Sequence, residues 1–437
     1  MHKKKVLIIT YYWPPSGGAG VQRWVKMVKY FSRFELEAHV LTVREDQASY
    51  LQWDESLTHD VPPETQVYKT DSFEPINYYA KLVGKKNVPT AGFSNVDNAK
   101  WSQKLVNALR SNLFIPDPRK GWNKYAYRKA VSILRKESID TVITTSPPHS
   151  TQLIGLKLQQ KLGIQWIADM RDPWTDIYYY DLLGHTYLSN KINHGLEKKV
   201  LLKADHILTV SKPLKELFAA KDPSIAAEKI HIVPNGYDPA DFEGLQKEKT
   251  QGFTIAYTGT MADNYKPSAF LNALSELVEE QTHFDIRLQF IGRISDRIKQ
   301  EITALGLEAA FIPTVSHSKI NQYQKNADLL LLVIPDVENS EGILTGKLFE
   351  YLASGNPIIC IGPEQGDAAA ILQQCEIGET FERSKKAEMK AFIAKAHQDY
   401  SAQTPRSVNW EEITKFSRVQ QTAMVNDIVR GKKSGFG

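Results

Sequence analysis

Asn339-Ser340-Glu341-Gly342-Ile343-Leu344-Thr345-Gly346-Lys347-Leu348-Phe349-Glu350-Tyr351-Leu352-Ala353-Ser354-Gly355-Asn356-Pro357-Ile358-Ile359 reads as a loop, a short helix and a strand with almost nothing between them. Thr345-Gly346 opens the helix and Ser354-Gly355 stops it. Leu348, Phe349 and Leu352 give it one apolar side. A helix pressed between two buried strands turns its unpaired N–H groups and positive dipole end toward the strand ends, where an anion is held. Lys347 adds a positive charge at that mouth. Glu350 lies one turn deeper, four residues from Gly346 and on the same face. Its carboxylate can accept two hydroxyl hydrogen bonds, as recognition of a ribose requires. A solvated helix face is the competing reading for Glu350.

Outward from this stretch the pattern repeats. Phe253–Gly259, Arg287–Gly292, Leu329–Ile334 and Pro357–Ile361 read as buried strands, with helical segments Pro267–Gln281, Asp296–Leu305 and Lys347–Ser354 between them. The first half alternates in the same way. Its strands are Val6–Thr10, Ala38–Val43, Thr141–Ser146, Gln165–Met170, His206–Val210 and Ile230–Pro234, with helical stretches such as Gly20–Ser32 and Thr151–Leu162. Alternating apolar runs and amphipathic stretches define α/β domains with parallel sheets. Two lie in series, joined at Pro234-Asn235-Gly236-Tyr237-Asp238, where a strand ends in turn residues. The expected division is 1–236 and 237–415, with a C-terminal helix at about 416–437 packing back on the first domain.

Composition narrows the function. The chain has 437 residues, enough for two full cores, and a net charge of only +4. A nucleic-acid binder usually shows a stronger clustered excess, so none is expected as a partner. Two cysteines, Cys360 and Cys375, lack metal spacing and suit a reducing compartment. The start Met1-His2-Lys3-Lys4-Lys5 precedes an apolar run too short for a signal peptide, broken by Tyr11-Tyr12-Trp13-Pro14-Pro15. No apolar run approaches the roughly 20 residues that span a bilayer. A cytoplasmic protein, in solution or peripheral on the inner face of a membrane, is the expectation. Residues 75–129 break the strand–helix rhythm. They carry Lys81, Lys85, Lys86, Lys100, Lys104, Arg110, Arg119, Lys120, Lys124, Arg128 and Lys129 against Asp97 and Asp117. This segment is either a solvated insertion or a face for an anionic lipid surface or acceptor.

Three further stretches carry chemistry. After the first strand, Ser16-Gly17-Gly18-Ala19-Gly20-Val21-Gln22-Arg23 is a glycine-rich turn into a helix, suited to close approach by an anionic ligand. A nicotinamide fingerprint needs a third glycine where Arg23 stands, and the loop is several residues too long. Ala168-Asp169-Met170-Arg171-Asp172-Pro173-Trp174 ends a strand where ligands bind in such sheets. Asp172 and Arg171 are candidate catalytic residues there; capping or mutual pairing is the structural alternative. Thr144-Thr145-Ser146-Pro147-Pro148-His149-Ser150 ends another strand, and His149 is a candidate for acceptor binding or for a base. His185 and His194 lack a partner pattern and read as structural. No H-E-x-x-H, G-x-S-x-G or G-x-x-x-x-G-K-[ST] occurs, which sets aside metalloprotease, α/β-hydrolase and P-loop chemistry.

Lys347 to Ile359 resembles the sugar-nucleotide signature of family 4 glycosyltransferases of the GT-B fold, two Rossmann-like domains with parallel sheets facing across a cleft. Ala204-Asp205-His206-Ile207-Leu208-Thr209-Val210-Ser211, Val233-Pro234-Asn235-Gly236-Tyr237-Asp238 and Tyr257-Thr258-Gly259-Thr260 are similar to further segments of that family, so the resemblance spans nearly the whole chain. It implies a retaining transferase that uses a nucleotide diphosphate sugar and needs no metal ion, with a glycan or lipid-linked acceptor. It places Gly17 and Gly18 on the donor diphosphate from the first domain. From the second it places Gly259, Thr260 and Lys266 nearby, Lys266 one residue later than usual, with Arg293 a further phosphate candidate. Thr345, Gly346 and Lys347 would hold the diphosphate, and Glu350 the ribose. Many members carry two glutamates separated by seven residues; here Gly342 occupies the first place and Glu341 is displaced by one. The rivals are a sugar-nucleotide epimerase on the same scaffold, a non-catalytic nucleotide-sugar-binding protein and an NAD oxidoreductase.

Overall fold

The computed structural model describes residues 3–50, 52–74, 111–177, 179–248, 252–280, 285–338 and 340–432. The chain forms two compact units, Met1–Pro234 with Gln421–Gly437, and Asn235–Gln420. Lys81, Lys85, Lys86, Lys100, Lys104 and Arg110 of the expected basic segment lie outside the described residues.

In the first unit seven parallel strands run in the order β3-β2-β1-β4-β5-β6-β7. They are β1 (Lys4–Ile9), β2 (Leu36–Val43), β3 (Gln66–Thr70), β4 (Thr141–Ser146), β5 (Gln165–Met170), β6 (His206–Thr209) and β7 (Ile230–Ile232). The second unit has the order β10-β9-β8-β11-β12-β13. Its strands are β8 (Phe253–Thr258), β9 (Ile286–Ile291), β10 (Ala309–Ile312), β11 (Leu329–Val333), β12 (Ile358–Ile361) and β13 (Gly378–Phe381). Every strand expected from the sequence is present. The three that the sequence reading omits, β3, β10 and β13, are all sheet edges. Their mixed burial explains the omission: a central strand such as β4 or β8 is buried along its whole length, whereas β3 is mostly exposed.

Alternation along the strands sorts the helices. In β4, Val142 packs with one cluster and Ile143 with another on the opposite face. On the Ile143 face lie α1 (Ala19–Lys29) and the returning residues Val425, Ile428 and Val429. On the Val142 face lie α2 (Asn123–Glu137), α3 (Ser150–Leu162) and α4 (Tyr187–Lys203). The register pairs Val142 with Trp166, so the Trp166 cluster under α4 belongs to that same face.

One buried ion pair ties this unit together. Arg23 of α1 and Asp169 of β5 have fully buried side chains, with Arg23 Nη2 3.0 Å from Asp169 Oδ1. Asp169 also accepts from Trp24 Nε1 at 2.8 Å and Thr145 Oγ1 at 2.7 Å. Arg23 donates onward to the carbonyls of Val233 and Pro234. The residue that spoils a nicotinamide fingerprint is thus a strut between the glycine turn, the β5 end and the unit's last strand. Asp169→Ala should destabilise the first unit by about 3–5 kcal/mol, because it strands a buried guanidinium. Urea unfolding measures this, and the double variant Arg23→Met/Asp169→Leu should recover most of the loss.

Candidate active site

In doubly wound sheets ligands bind at the carboxyl ends of the strands, where the strand order reverses. In the second unit that point lies between β8 and β11. Gly259, directly after β8, has φ +103, and Gly292, directly after β9, has φ +127. A Cβ on Gly292 would stand 2.3 Å from the Gly259 carbonyl oxygen, and one on Gly259 would press on the Lys347 side chain at 3.4 Å. Only glycine satisfies both the backbone angle and the close approach.

Lys347 therefore lies along the first loop. Its Nζ donates to the Tyr257 hydroxyl at 2.5 Å and stands 4.3 Å from the Tyr257 ring centroid and 5.5 Å from that of Tyr265. Tyr257 in turn donates its hydroxyl hydrogen bond to the Thr260 carbonyl at 2.6 Å. No carboxylate forms an ion pair with Lys347 among the described residues. Burial drives its pKa down to about 7, against the pull of Glu350.

Lys347 sits in the first turn of α9 (Gly346–Ser354), which follows α5 (Lys212–Ala220), α6 (Ser268–Glu280), α7 (Asp296–Ala304) and α8 (His317–Asn326). The N-cap residue Thr345 makes no side-chain cap, and its hydroxyl is buried without a partner. A Cβ on Gly346 would meet nothing within 4 Å, so the first helical residue has open space beside it. A cation, uncapped helix amides and an orphaned hydroxyl together make this helix start the candidate anion site.

Glu350 is half-buried one turn in. Its Oε2 accepts from Gln324 Nε2 at 2.9 Å, and its Oε1 stands 3.9 Å from His317 Nδ1. His317 is also 3.1 Å from Asp241. One carboxylate oxygen is thus anchored and the other lacks a close donor of this kind. Sequence reading missed Gln324 and His317. Seven residues apart on α8, they share one face, but α8 itself carries too few apolar residues to be read as a helix.

The other donor-side candidates differ in their engagement. Lys266 pairs with Asp336 at 2.6 Å, so a diphosphate would have to draw it away. Arg293 is exposed and makes no ion pair among the described residues. Glu341 lies exposed in a short turn. Arg383, which follows edge strand β13 and was not anticipated, is half-buried and donates to the Ile334 carbonyl at 2.5 Å.

In the first unit Gly18, at φ +102, opens α1. A Cβ on Gly17 would stand 2.9 Å from Asp54 Cβ, and the Gly17 amide bonds the Gln52 carbonyl at 3.0 Å. The exposed Trp53 sits between those two partners. Arg171 bonds the Ser146 carbonyl with Nε and the Gly20 carbonyl with Nη1, both at 3.0 Å. It therefore gathers the ends of β4 and β5 and the first turn of α1. Asp172 beside it is half-buried, has no hydrogen-bond partner among the described residues, and is raised in pKa by burial. His149 stacks on Trp174 at 5.0 Å, and its Nδ1 is buried without a partner. Burial and the Arg171 charge push its pKa to about 3, so at neutral pH the ring is uncharged and a weak base. That suits hydrogen bonding to a hydroxyl better than proton abstraction. His185 stacks on Tyr180, and His194 bonds the Asn190 carbonyl.

Two units, each a parallel sheet wound in the same order with a glycine turn after its first strand, are the GT-B fold. Residues 89–241 match the family model described as Glycosyltransferase Family 4. Sucrose-phosphate synthase from Thermosynechococcus elongatus has a similar structure, with TM-score 0.60 and 13% identity over 98% of each chain. HepE of Anabaena, solved in complex with UDP-glucose, gives TM-score 0.59 and 12% identity over 98% of this chain and 99% of that one. WaaG, a glycosyltransferase involved in lipopolysaccharide biosynthesis, gives 0.58 and 13% over 98% and 100%. No curated protein matches the chain. The match over residues 89–241 and the GT-B neighbours together support a family 4 glycosyltransferase.

The Lys347 charge has a measurable consequence. Its ammonium is present below about pH 7 and lost above it in the free protein. Affinity for a nucleoside diphosphate should fall as pH rises from 6 to 8, and Lys347→Arg should flatten that dependence. Calorimetric titration with UDP and GDP checks it.

Proposed function

We propose that this chain is a retaining glycosyltransferase. It moves a sugar from a nucleotide diphosphate sugar to a glycan or lipid-linked acceptor in surface polysaccharide synthesis, at the inner face of a membrane. The observation that carries the reading is the start of α9, where Lys347 and uncapped amides await an anion. In this role Thr345, Gly346 and Lys347 hold the diphosphate and Glu350 the ribose hydroxyls. Gly259, Thr260, Arg293 and Lys266 are the further donor-binding candidates of the second unit, and Gly17 and Gly18 those of the first. The positive charge comes from the chain itself, so the reading calls for no metal ion. HepE's solved complex with UDP-glucose and WaaG's part in lipopolysaccharide biosynthesis are consistent with a donor and acceptor of this kind.

The chemistry follows from charge. The bond between the anomeric carbon and the diphosphate oxygen breaks, and its electron pair stays on the diphosphate. Preorganised donors that meet this growing charge are worth roughly 3 kcal/mol each. The acceptor oxygen bonds the anomeric carbon on the face the diphosphate leaves, and its proton passes to a diphosphate oxygen. This route needs no protein base, which agrees with the weak basicity of His149. Asp172 and Arg171 steady the sugar, with His149 accepting or donating a hydroxyl hydrogen bond.

Glu350→Ala should weaken nucleoside diphosphate binding by about 10- to 100-fold, the scale of hydrogen bonds to a charged group. The loss should be smaller for the 2′-deoxy compound. Asp172→Asn should leave that binding unchanged and lower turnover by about 100-fold or more. Transfer measured with a panel of nucleotide sugars tests the whole reading: free epimer in place of a glycoside, or binding without turnover, would overturn it.

A further inference from the structure

Charge is divided unevenly between the two units. Met1–Pro234 with Gln421–Gly437 holds 36 of the 54 basic residues and only 24 of the 50 acidic ones. The excess has an address. Helices α2, α3 and α4 lie side by side on one face of the first sheet. Between them they carry 11 lysines and arginines, all exposed, and two carboxylates. Neither carboxylate is free. Glu137 accepts from Lys5, and Glu197 is buried, bonded to the Trp174 amide and the Thr175 hydroxyl. Among the described residues only Lys136 and Lys198 of the 11 have a carboxylate partner.

The same layer exposes apolar side chains. Tyr187 is 82% exposed, Leu188 67% and Ile192 40%, all on the outer side of α4. Asn112 accepts from the Thr186 amide at 2.7 Å and donates to the Gly184 carbonyl at 2.9 Å. It staples Leu113, 72% exposed, beside the start of that helix. Cations over a broad face, with aliphatic and aromatic side chains projecting from one end, match a bilayer surface. Anionic headgroups meet the lysines and arginines, and the apolar side chains enter the acyl boundary. A nucleic acid would use the cations and leave Leu113, Leu188 and Ile192 in water.

We propose that the outer face of α2, α3 and α4 docks this protein on an anionic lipid bilayer, with Tyr187, Leu188 and Ile192 inserting. Its use in transfer rests on the lipid-linked acceptor of the reading above; the docking itself does not. The face differs from the basic segment that the sequence singled out, sharing with it Asn112, Leu113 and the start of α2.

The full chain is centrifuged with vesicles of phosphatidylglycerol in phosphatidylcholine, and with phosphatidylcholine alone, without donor or acceptor. Binding to the anionic vesicles only is expected, at about fivefold per cation engaged. The combined variant Arg128→Glu/Lys129→Glu/Lys191→Glu/Lys199→Glu should lower it at least tenfold. So should Leu188→Asp, which lies on the surface and should leave the thermal midpoint and UDP or GDP binding unchanged. Failure of the wild type to bind, variants that bind as well as it does, or preferential binding of duplex DNA over vesicles would overturn the docking face. Because nucleotide binding is read on the same samples, loss of either property is distinguished from loss of the other.

Discussion

An ammonium group placed where water is scarce governs the second unit. Partial burial depresses the Lys347 pKa, offset among the described residues by the Tyr257 hydroxyl, the Thr260 carbonyl, two aromatic faces and the Glu350 carboxylate. A diphosphate would restore what the site lacks: a full opposing charge, acceptors for the uncapped amides of α9 and a partner for the Thr345 hydroxyl. The two glycines after β8 and β9 matter because they let Lys347 lie where that charge is needed.

The first unit follows a different logic. Its buried ion pair is satisfied on every side and has no capacity left for a ligand. It holds the start of α1 against the ends of β4 and β5, and Arg171 also joins them through the Ser146 and Gly20 carbonyls. Beside it the Asp172 carboxylate and one nitrogen of His149 are without hydrogen-bond partners among the described residues, which is why they are the candidates for a polar substrate.

How much of this could be read in the sequence depended on burial. Central strands such as β4, β5, β8 and β11 are buried along all or nearly all of their length, and a glycine directly follows β8. Edge strands β3, β10 and β13 have one side in water and lose that signature, and Arg383 was missed with the strand before it. The Lys347–Glu350 spacing was legible because both sit on one short helix with clear start and stop signals. Gln324 and His317 were not, since they reach Glu350 from a polar helix whose nearness is set by packing alone. Arg23 was legible as a departure from a fingerprint, but its role needed Asp169, 146 residues away.

The account stands on where a diphosphate binds. A crystal structure of the protein with UDP or GDP tests this most directly. The β-phosphate oxygens should lie within hydrogen-bond distance of the Gly346 and Lys347 amides, with Lys347 Nζ swung from Tyr257 toward them and the ribose at Glu350. A nucleotide bound elsewhere, with Lys347 still on Tyr257 and the helix mouth filled only by water, would contradict it.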